Sequence, residues 1–295
     1  MSPQKEIWTI VKLLRWSQEY MQGKGIEDAR LSAERMLGQV LGLNRMQLYL
    51  DFDRPLTTDE LAAFKKLLLR RCAREPLQYI LGETEFYSLP FKVSPSVLIP
   101  RPETECLIDE ALKALQPGTS DKEVQILDVG TGSGIISIVL AKKIPHSRIT
   151  AVDISDDALA LAAENARMHQ VQTQITFVSA NFLDDGDIQA FDKPIYDLVV
   201  SNPPYIAPEE AKDLAPEVAE YEPATALFAD DPLIFYRRLA AIMTTLLVPG
   251  GILLCEIAAN RWQDIRQVFI DAGADDVAVL PDYAGRERVL RACRK

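Results

Sequence analysis

The chain has 295 residues, 48% of them hydrophobic and 25% charged, with a net charge of −11. At about 150 residues per domain this suggests two domains with proper cores, which excludes intrinsic disorder, and no apolar run approaches the ~18 residues of a membrane span. Non-specific phosphate binding wants a basic surface, so the acidic balance disfavours nucleic acid as the main partner; residues 1–88 are near neutral and residues 89–295 carry the acidic excess.

Residues 1–16 carry charges through their apolar positions and lack a small-residue cleavage site, which argues against a secretory leader; a cytoplasmic location is expected. Residues 3–75 read as helical. Ile7, Ile10, Val11, Leu13 and Leu14 recur at helical spacing, as do Leu31, Met36, Leu37, Val40 and Leu41 within 28–41. A third helix is expected over 61–74, with Thr57 or Thr58 as N-cap and Glu60 in the acidic first turn. Lys65, Lys66, Arg70, Arg71 and Arg74 give that helix a mildly basic face, expected to be solvated. The whole predicts a helical bundle domain over 1–77. Pro76 breaks the pattern, and residues 78–100 alternate through Tyr79, Phe86, Tyr87, Phe91 and Val93, which predicts a β-hairpin linker. The segment Pro100-Arg101-Pro102-Glu103-Thr104-Glu105 then leads into an apolar helix over 106–115. Arg101 and Glu103 have two readings here: they shape the mouth of a site, or Glu103 simply occupies a favourable first helical turn.

From residue 124 onward β-branched runs alternate with helical stretches. Strands are expected at 125–129, 149–153, 175–178, 196–201, 251–257, 276–280 and 287–292, and helices near 133–143, 156–169, 233–247 and 260–271. Alternation of this kind predicts an α/β domain over 101–295, a mostly parallel sheet with helices on both faces. Only residues 281–286 join the last two strands, too few for a parallel crossover, so that pair is expected to be antiparallel. Cys72, Cys106, Cys255 and Cys293 lack zinc or redox spacing and read as reduced thiols. His146 and His169 have no ligand-like neighbours. No metal site is expected.

Three signals carry chemistry. The string Asp128-Val129-Gly130-Thr131-Gly132-Ser133-Gly134 follows a strand and opens a helix, where glycines let the backbone turn sharply and approach a ligand. Its spacing is G-x-G-x-G rather than the dinucleotide G-x-G-x-x-G. Asp153 ends the next strand, where a carboxylate can accept both hydroxyls of a ribose. These two features point to an adenosine-containing cofactor without separating NAD from S-adenosylmethionine. The third is Asn202-Pro203-Pro204-Tyr205, directly after the strand 196–201. Two successive prolines cannot continue a strand and fix a rigid turn at the carboxyl edge of the sheet. Asn202 offers a side-chain oxygen, Pro203 a free carbonyl and Tyr205 a flat face. The motif resembles that of methyltransferases acting on planar amide or amino nitrogens, for which two acceptors can hold the N–H groups and stabilise positive charge as the C–N bond forms.

Taken with the segment 82–87 (Gly-Glu-Thr-Glu-Phe-Tyr), residues 99–105, residues 221–227 (Tyr-Glu-Pro-Ala-Thr-Ala-Leu) and residues 282–286 (Asp-Tyr-Ala-Gly-Arg), the motifs make nearly the whole chain resemble the protein-(glutamine-N5) methyltransferases of peptide-chain release factors, the HemK/PrmC type. The resemblance implies a class I S-adenosylmethionine-dependent methyltransferase fold, with a seven-stranded, mostly parallel sheet whose last strand is antiparallel, behind an N-terminal helical bundle that helps dock the release factor. It implies cofactor binding by Gly130, Thr131, Gly132, Ser133, Gly134, Asp153, Asn181, Phe182 and Asn202. Asn202, Pro203, Pro204 and Tyr205 are implied to hold the glutamine of a Gly-Gly-Gln loop, with Asn202, Pro203 and Tyr205 in catalysis. Relatives often carry an acidic residue near the adenine amino group, whereas this chain has Ser179-Ala180-Asn181-Phe182, and Asn181 or a backbone group is expected to substitute. A ribosomal-protein glutamine methyltransferase would share fold, cofactor and motif. A nucleic-acid amino-group methyltransferase would share Asn-Pro-Pro-Tyr, and the acidic charge weighs against it. Glycine spacing and the double proline disfavour an NAD oxidoreductase, and the intact motifs disfavour a non-enzymatic interaction protein.

Overall fold

A computed structural model of the chain describes residues 7–115, 122–188 and 196–295. It divides into two units, Met1–Gly82 with Ala215–Tyr221, and Glu83–Leu214 with Glu222–Lys295. Residues 3–6 of the expected helical stretch lie outside the described residues.

The first unit contains α1 (Ile10–Gln22), α2 (Ala29–Leu41), α3 (Arg45–Leu50), α4 (Thr58–Cys72) and α5 (Leu77–Leu81). Capping chemistry sets two of these starts. Thr57 accepts from the Glu60 N–H while Glu60 returns to the Thr57 N–H, and Asn44 and Gln47 make the same reciprocal box for α3. Ile10, Met21, Met36, Leu37, Leu48 and Phe64 are fully buried in its core.

Three expectations are corrected in this unit. Pro76 does not end helical structure. It is the N-cap of α5, whose Leu77, Tyr79 and Ile80 are buried, so the hairpin starts later than residue 78. A proline has no N–H to leave unpaired, so it suits a helix start. Arg71 is not on a solvated face: it is 5% exposed and donates to Asp28, to Ser32 Oγ, to the Glu75 carbonyl and to Glu217. Glu217 lies on a later helix, Pro216–Tyr221, whose Tyr221 hydroxyl also donates to the Ala73 carbonyl. The C-terminal domain expected over 101–295 is therefore interrupted, because Ala215–Tyr221 belongs with the helical unit.

The second unit opens with a hairpin, β1 (Glu83–Phe86) and β2 (Leu89–Lys92), and α6 (Glu105–Leu115) follows a short 3-10 turn at Pro102–Thr104. Its main body alternates β3 (Val124–Val129), α7 (Ile135–Lys143), β4 (Ser147–Asp153), α8 (Asp156–Met168), β5 (Ile175–Ser179), the short α9 (Asp185–Ile188) and β6 (Tyr196–Ser201). The helix Pro216–Tyr221 of the first unit is α10. Then come α11 (Ala224–Leu227), α12 (Ile234–Leu246), β7 (Leu247–Glu256), α13 (Trp262–Asp271), β8 (Asp275–Pro281) and β9 (Glu287–Cys293).

Among the described residues these strands form a seven-stranded sheet in the order β5-β4-β3-β6-β7-β9-β8. The five strands β5, β4, β3, β6 and β7 are parallel, and β9 runs antiparallel to both β7 and β8. This is the expected class I methyltransferase sheet. One core cluster, including Ile126, Ile138, Leu140 and Val200, covers one face; another, including Leu127, Val199, Tyr236, Leu253 and Phe269, covers the other. β3 and β6 are adjacent, yet the chain leaves them in opposite directions, toward β4 and toward β7. The carboxyl ends of β3, β4 and β6 therefore open onto a crevice at the switch point, where ligands of α/β sheets bind.

Candidate active site

At that edge lies a cavity of about 470 Å³, within the range of small-molecule sites. The loop after β3 forms one wall through Gly130, Thr131, Gly132 and Ser133. Gly132 has φ +55° and open space where a Cβ would stand, so its backbone is free for close approach. Gly134 is not among the residues lining the cavity. A Cβ there would lie 3.1 Å from both Ala162 Cβ and Ile138 Cδ1, at φ +82°, so this glycine serves the packing of α7 against α8.

Asp153, at the tip of β4, lines the cavity. Its Oδ2 accepts from the Gly132 N–H at 2.8 Å and its Oδ1 from the Ser155 N–H at 3.0 Å, so two loops hold the carboxylate in place. Ala180, Asn181 and Phe182 line the cavity after β5. Asn181 Oδ1 accepts from the Leu183 N–H in a local turn, and the Asn181 N–H donates to Asp187. Phe182 is buried, and its carbonyl accepts from Arg238.

After β6, Asn202, Pro203 and Pro204 line the same cavity. Asn202 Nδ2 donates to Thr104 Oγ1 at 3.2 Å. Tyr205 is not among the residues lining the cavity. Its ring packs against the Leu253–Phe269 face of the core, and its hydroxyl donates to Glu256 Oε1 at 3.4 Å. A half-buried phenol beside a buried carboxylate satisfies both groups better than an open face would.

Thr104 escaped the sequence reading. Thr104 is 1% exposed and lines the cavity beside Asn202. Its only sequence signal was membership of the segment 99–105. Arg101 also lines the cavity and donates to Glu222 Oε1 at 2.5 Å, while Glu222 Oε2 accepts from the Ile99 N–H. Glu103 is exposed in the 3-10 turn, as its helix-start reading expected. Asp128 lies fully buried behind the glycine loop and accepts from Thr131 Oγ1 and Ser137 Oγ. Burial pushes its carboxyl up to about 6. His169 shares a hydrogen bond with the Pro90 carbonyl and lies against Phe91, a structural role.

A family model described as the PrmC N-terminal domain matches residues 12–82, and one described as the methyltransferase small domain matches residues 105–221. The chain is 42% identical over 291 residues to a release factor glutamine methyltransferase of Geobacter sulfurreducens, covering 98% of each. It is 43% identical over 290 residues to one of Chlorobaculum tepidum, again covering 98% of each. A solved methyltransferase structure from Pyrococcus furiosus superposes with a TM-score of 0.50 at 18% identity, over 71% of this chain and 90% of that one, a likeness of fold.

Proposed function

Because this chain belongs to the release factor glutamine methyltransferase family, we propose that it transfers a methyl group from S-adenosylmethionine to the side-chain amide nitrogen (N5) of the glutamine in the Gly-Gly-Gln motif of peptide-chain release factors. The observation that carries the reading is that Asn202, Pro203 and Pro204 share one cavity with the glycine loop and Asp153. Amide acceptors and a nucleoside-type cradle thus meet at one sheet edge.

The residues fit S-adenosylmethionine. Gly130, Thr131, Gly132 and Ser133 offer a loop with open backbone, Asp153 a carboxylate for ribose hydroxyls, and Phe182 with Ala180 an apolar wall for a flat base. When bound, this cofactor supplies an electrophilic methyl group on a sulfonium. Asn202 Oδ1 and the Pro203 carbonyl take the two N–H groups of the substrate amide and aim its nitrogen. An amide nitrogen is a poor nucleophile, and it gains positive charge as the C–N bond forms. Fixed acceptors bind that state more strongly than the ground state, which is the source of catalysis. Alignment in the cavity supplies much of the rest. Pro204 holds the turn rigid.

The helical unit takes the release factor. Met46 and Leu50 are each 73% exposed, and Trp16 stacks on Tyr20 at 5.2 Å on its outer surface. Exposed apolar groups gathered on one small unit suit protein docking. Release factors act in translation, so the reaction belongs to the cytoplasm.

Two substitutions separate the roles. Asn202→Ala is expected to lower kcat by about 100-fold or more while the calorimetric affinity for S-adenosylmethionine stays within about threefold. Asp153→Ala is expected to do the reverse and weaken cofactor affinity by about tenfold or more. Equal loss of both functions in Asn202→Ala contradicts the assignment.

A further inference from the structure

The amide of Asn202 has two ends, and only its oxygen can accept from a substrate amide. With Nδ2 turned into the cavity it would oppose the substrate N–H groups, donor against donor. Catalysis by this residue therefore requires something that fixes which way the amide faces. Resting on the glutamine-methylation reading, we propose that Thr104 and Glu256 are positioning residues that set this polarity: Glu256 claims the hydroxyl proton of Thr104, and Thr104 is thereby left only an acceptor for Asn202 Nδ2.

The geometry supports each link. β6 and β7 are paired in register at Ser201 and Cys255, so Asn202 and Glu256 follow at the same level of the carboxyl edge. The 3-10 turn Pro102–Thr104 brings Thr104 to both. Thr104 Oγ1 donates to Glu256 Oε2 at 2.7 Å, and Asn202 Nδ2 donates to Thr104 Oγ1 at 3.2 Å. A threonine hydroxyl has one proton, and an ionised carboxylate only accepts. Once that proton is committed to Glu256, the Asn202 N–H has an acceptor and its Oδ1 has no donor on the Thr104 side. Among the described residues Asn202 Oδ1 accepts no hydrogen bond, which leaves it for the cavity that Asn202 and Thr104 both line. Thr104 and Glu256 are 1% and 2% exposed, so their hydrogen bond is made away from bulk water.

Protonation of Glu256 would undo the arrangement. A neutral carboxyl can donate to Thr104, which frees the hydroxyl proton for Asn202 Oδ1 and allows the amide to turn over. The groups facing Glu256 decide when this happens. Arg288 on β9 favours the charge; Glu103 in the 3-10 turn opposes it. The hydroxyl of Tyr205 donates to its other oxygen and that of Tyr236 on α12 to its carbonyl, with the thiols of Cys106 on α6 and Cys255 on β7 close by. Burial dominates and raises the carboxyl above its usual range. Because the active polarity needs the ionised form, kcat is present above that raised value and lost as pH falls through it.

The test uses the full-length enzyme, a release factor as acceptor and labelled S-adenosylmethionine, with kcat and KM measured from pH 5 to 9 and cofactor affinity by calorimetry. Thr104→Val, which keeps shape and removes the hydroxyl, should lower kcat by about tenfold or more with cofactor affinity within about twofold. Thr104→Ser should restore kcat to within about threefold of wild type. Glu256→Gln offers Thr104 either a donor or an acceptor, so kcat should drop at all pH values and the acid limb of the profile should disappear. Full kcat in Thr104→Val, or an unchanged acid limb in Glu256→Gln, overturns the positioning role. Should Thr104→Val fail to fold, the Glu256→Gln profile decides alone. Wild-type enzyme that labels no glutamine defeats the underlying reading; wild-type activity with indifferent variants defeats only the polarity claim.

Discussion

Asp128 links a single buried carboxyl to the pH dependence of stability. It is fully buried; its Oδ2 accepts from two hydroxyls and its Oδ1 has no hydrogen-bond partner among the described residues. Burial pushes its carboxyl from an ordinary 3.8 up to about 6, and the nearby Asp153 charge adds to the shift. The folded state therefore holds the proton more tightly than the unfolded chain does. Stability is lost as pH rises from about 4 to about 6, and the loss is complete above that range. The shift is worth about 3 kcal/mol at 1.36 kcal/mol per unit. Asp128→Asn is expected to remove this slope, so that its stability relative to wild type rises between pH 4 and pH 7 by up to that amount. Chemical denaturation at the two pH values measures it, and a constant difference would contradict the buried-charge account. At the same scale the sequence exposed Asn202 and Asp153, because each ends a strand whose pattern was plain. It hid the meeting of Thr104 with Asn202 and Glu256. These partners stand 98 and 152 positions apart from Thr104 in the chain, and no local periodicity encodes such a meeting.

Strands and helices of the sheet unit were legible because period and punctuation agreed: β3 to β9 sit where β-branched runs predicted them, within a few residues. Elements defined by caps and packing were not. α3 and α5 are too short to show a helical period, and Pro76 looks like a terminator until Leu77 and Ile80 are seen to be buried. Asn165 on α8 shows how elements are tied at the site. Its Nδ2 donates to the Ser133 and Lys92 carbonyls and its Oδ1 accepts from the Lys92 N–H, joining the glycine loop, β2 and α8 through one fully buried amide. Removing it strands three backbone groups at about 1–3 kcal/mol for each buried unsatisfied group, partly recovered by relaxation. Asn165→Ala is therefore expected to destabilise the fold by about 2–4 kcal/mol and to weaken cofactor affinity as the loop loosens. Thermal denaturation and calorimetry check this, and a change in stability below about 0.5 kcal/mol would show that the amide is not a tie.

On the scale of the whole molecule, the chain divides into two units. The helical unit is sewn together by Arg71, which reaches Asp28 from its own domain and Glu217 from α10, far along the chain. That is why a domain boundary drawn from local pattern alone misplaced Ala215–Tyr221. The sheet unit holds the cavity, and its strand order brings the glycine loop, Asp153 and Asn202 to one edge. No helix among the described residues is long and apolar enough to cross a membrane. The central claim joins cofactor, amide acceptors and release factor in one reaction. It is tested most directly by methyl transfer from labelled S-adenosylmethionine to intact release factor, with ribosomal protein and bulk nucleic acid as parallel acceptors and peptide mass spectrometry to locate the label. The account predicts a single methyl group on the glutamine of the Gly-Gly-Gln loop. Label confined to ribosomal protein or nucleic acid would contradict it.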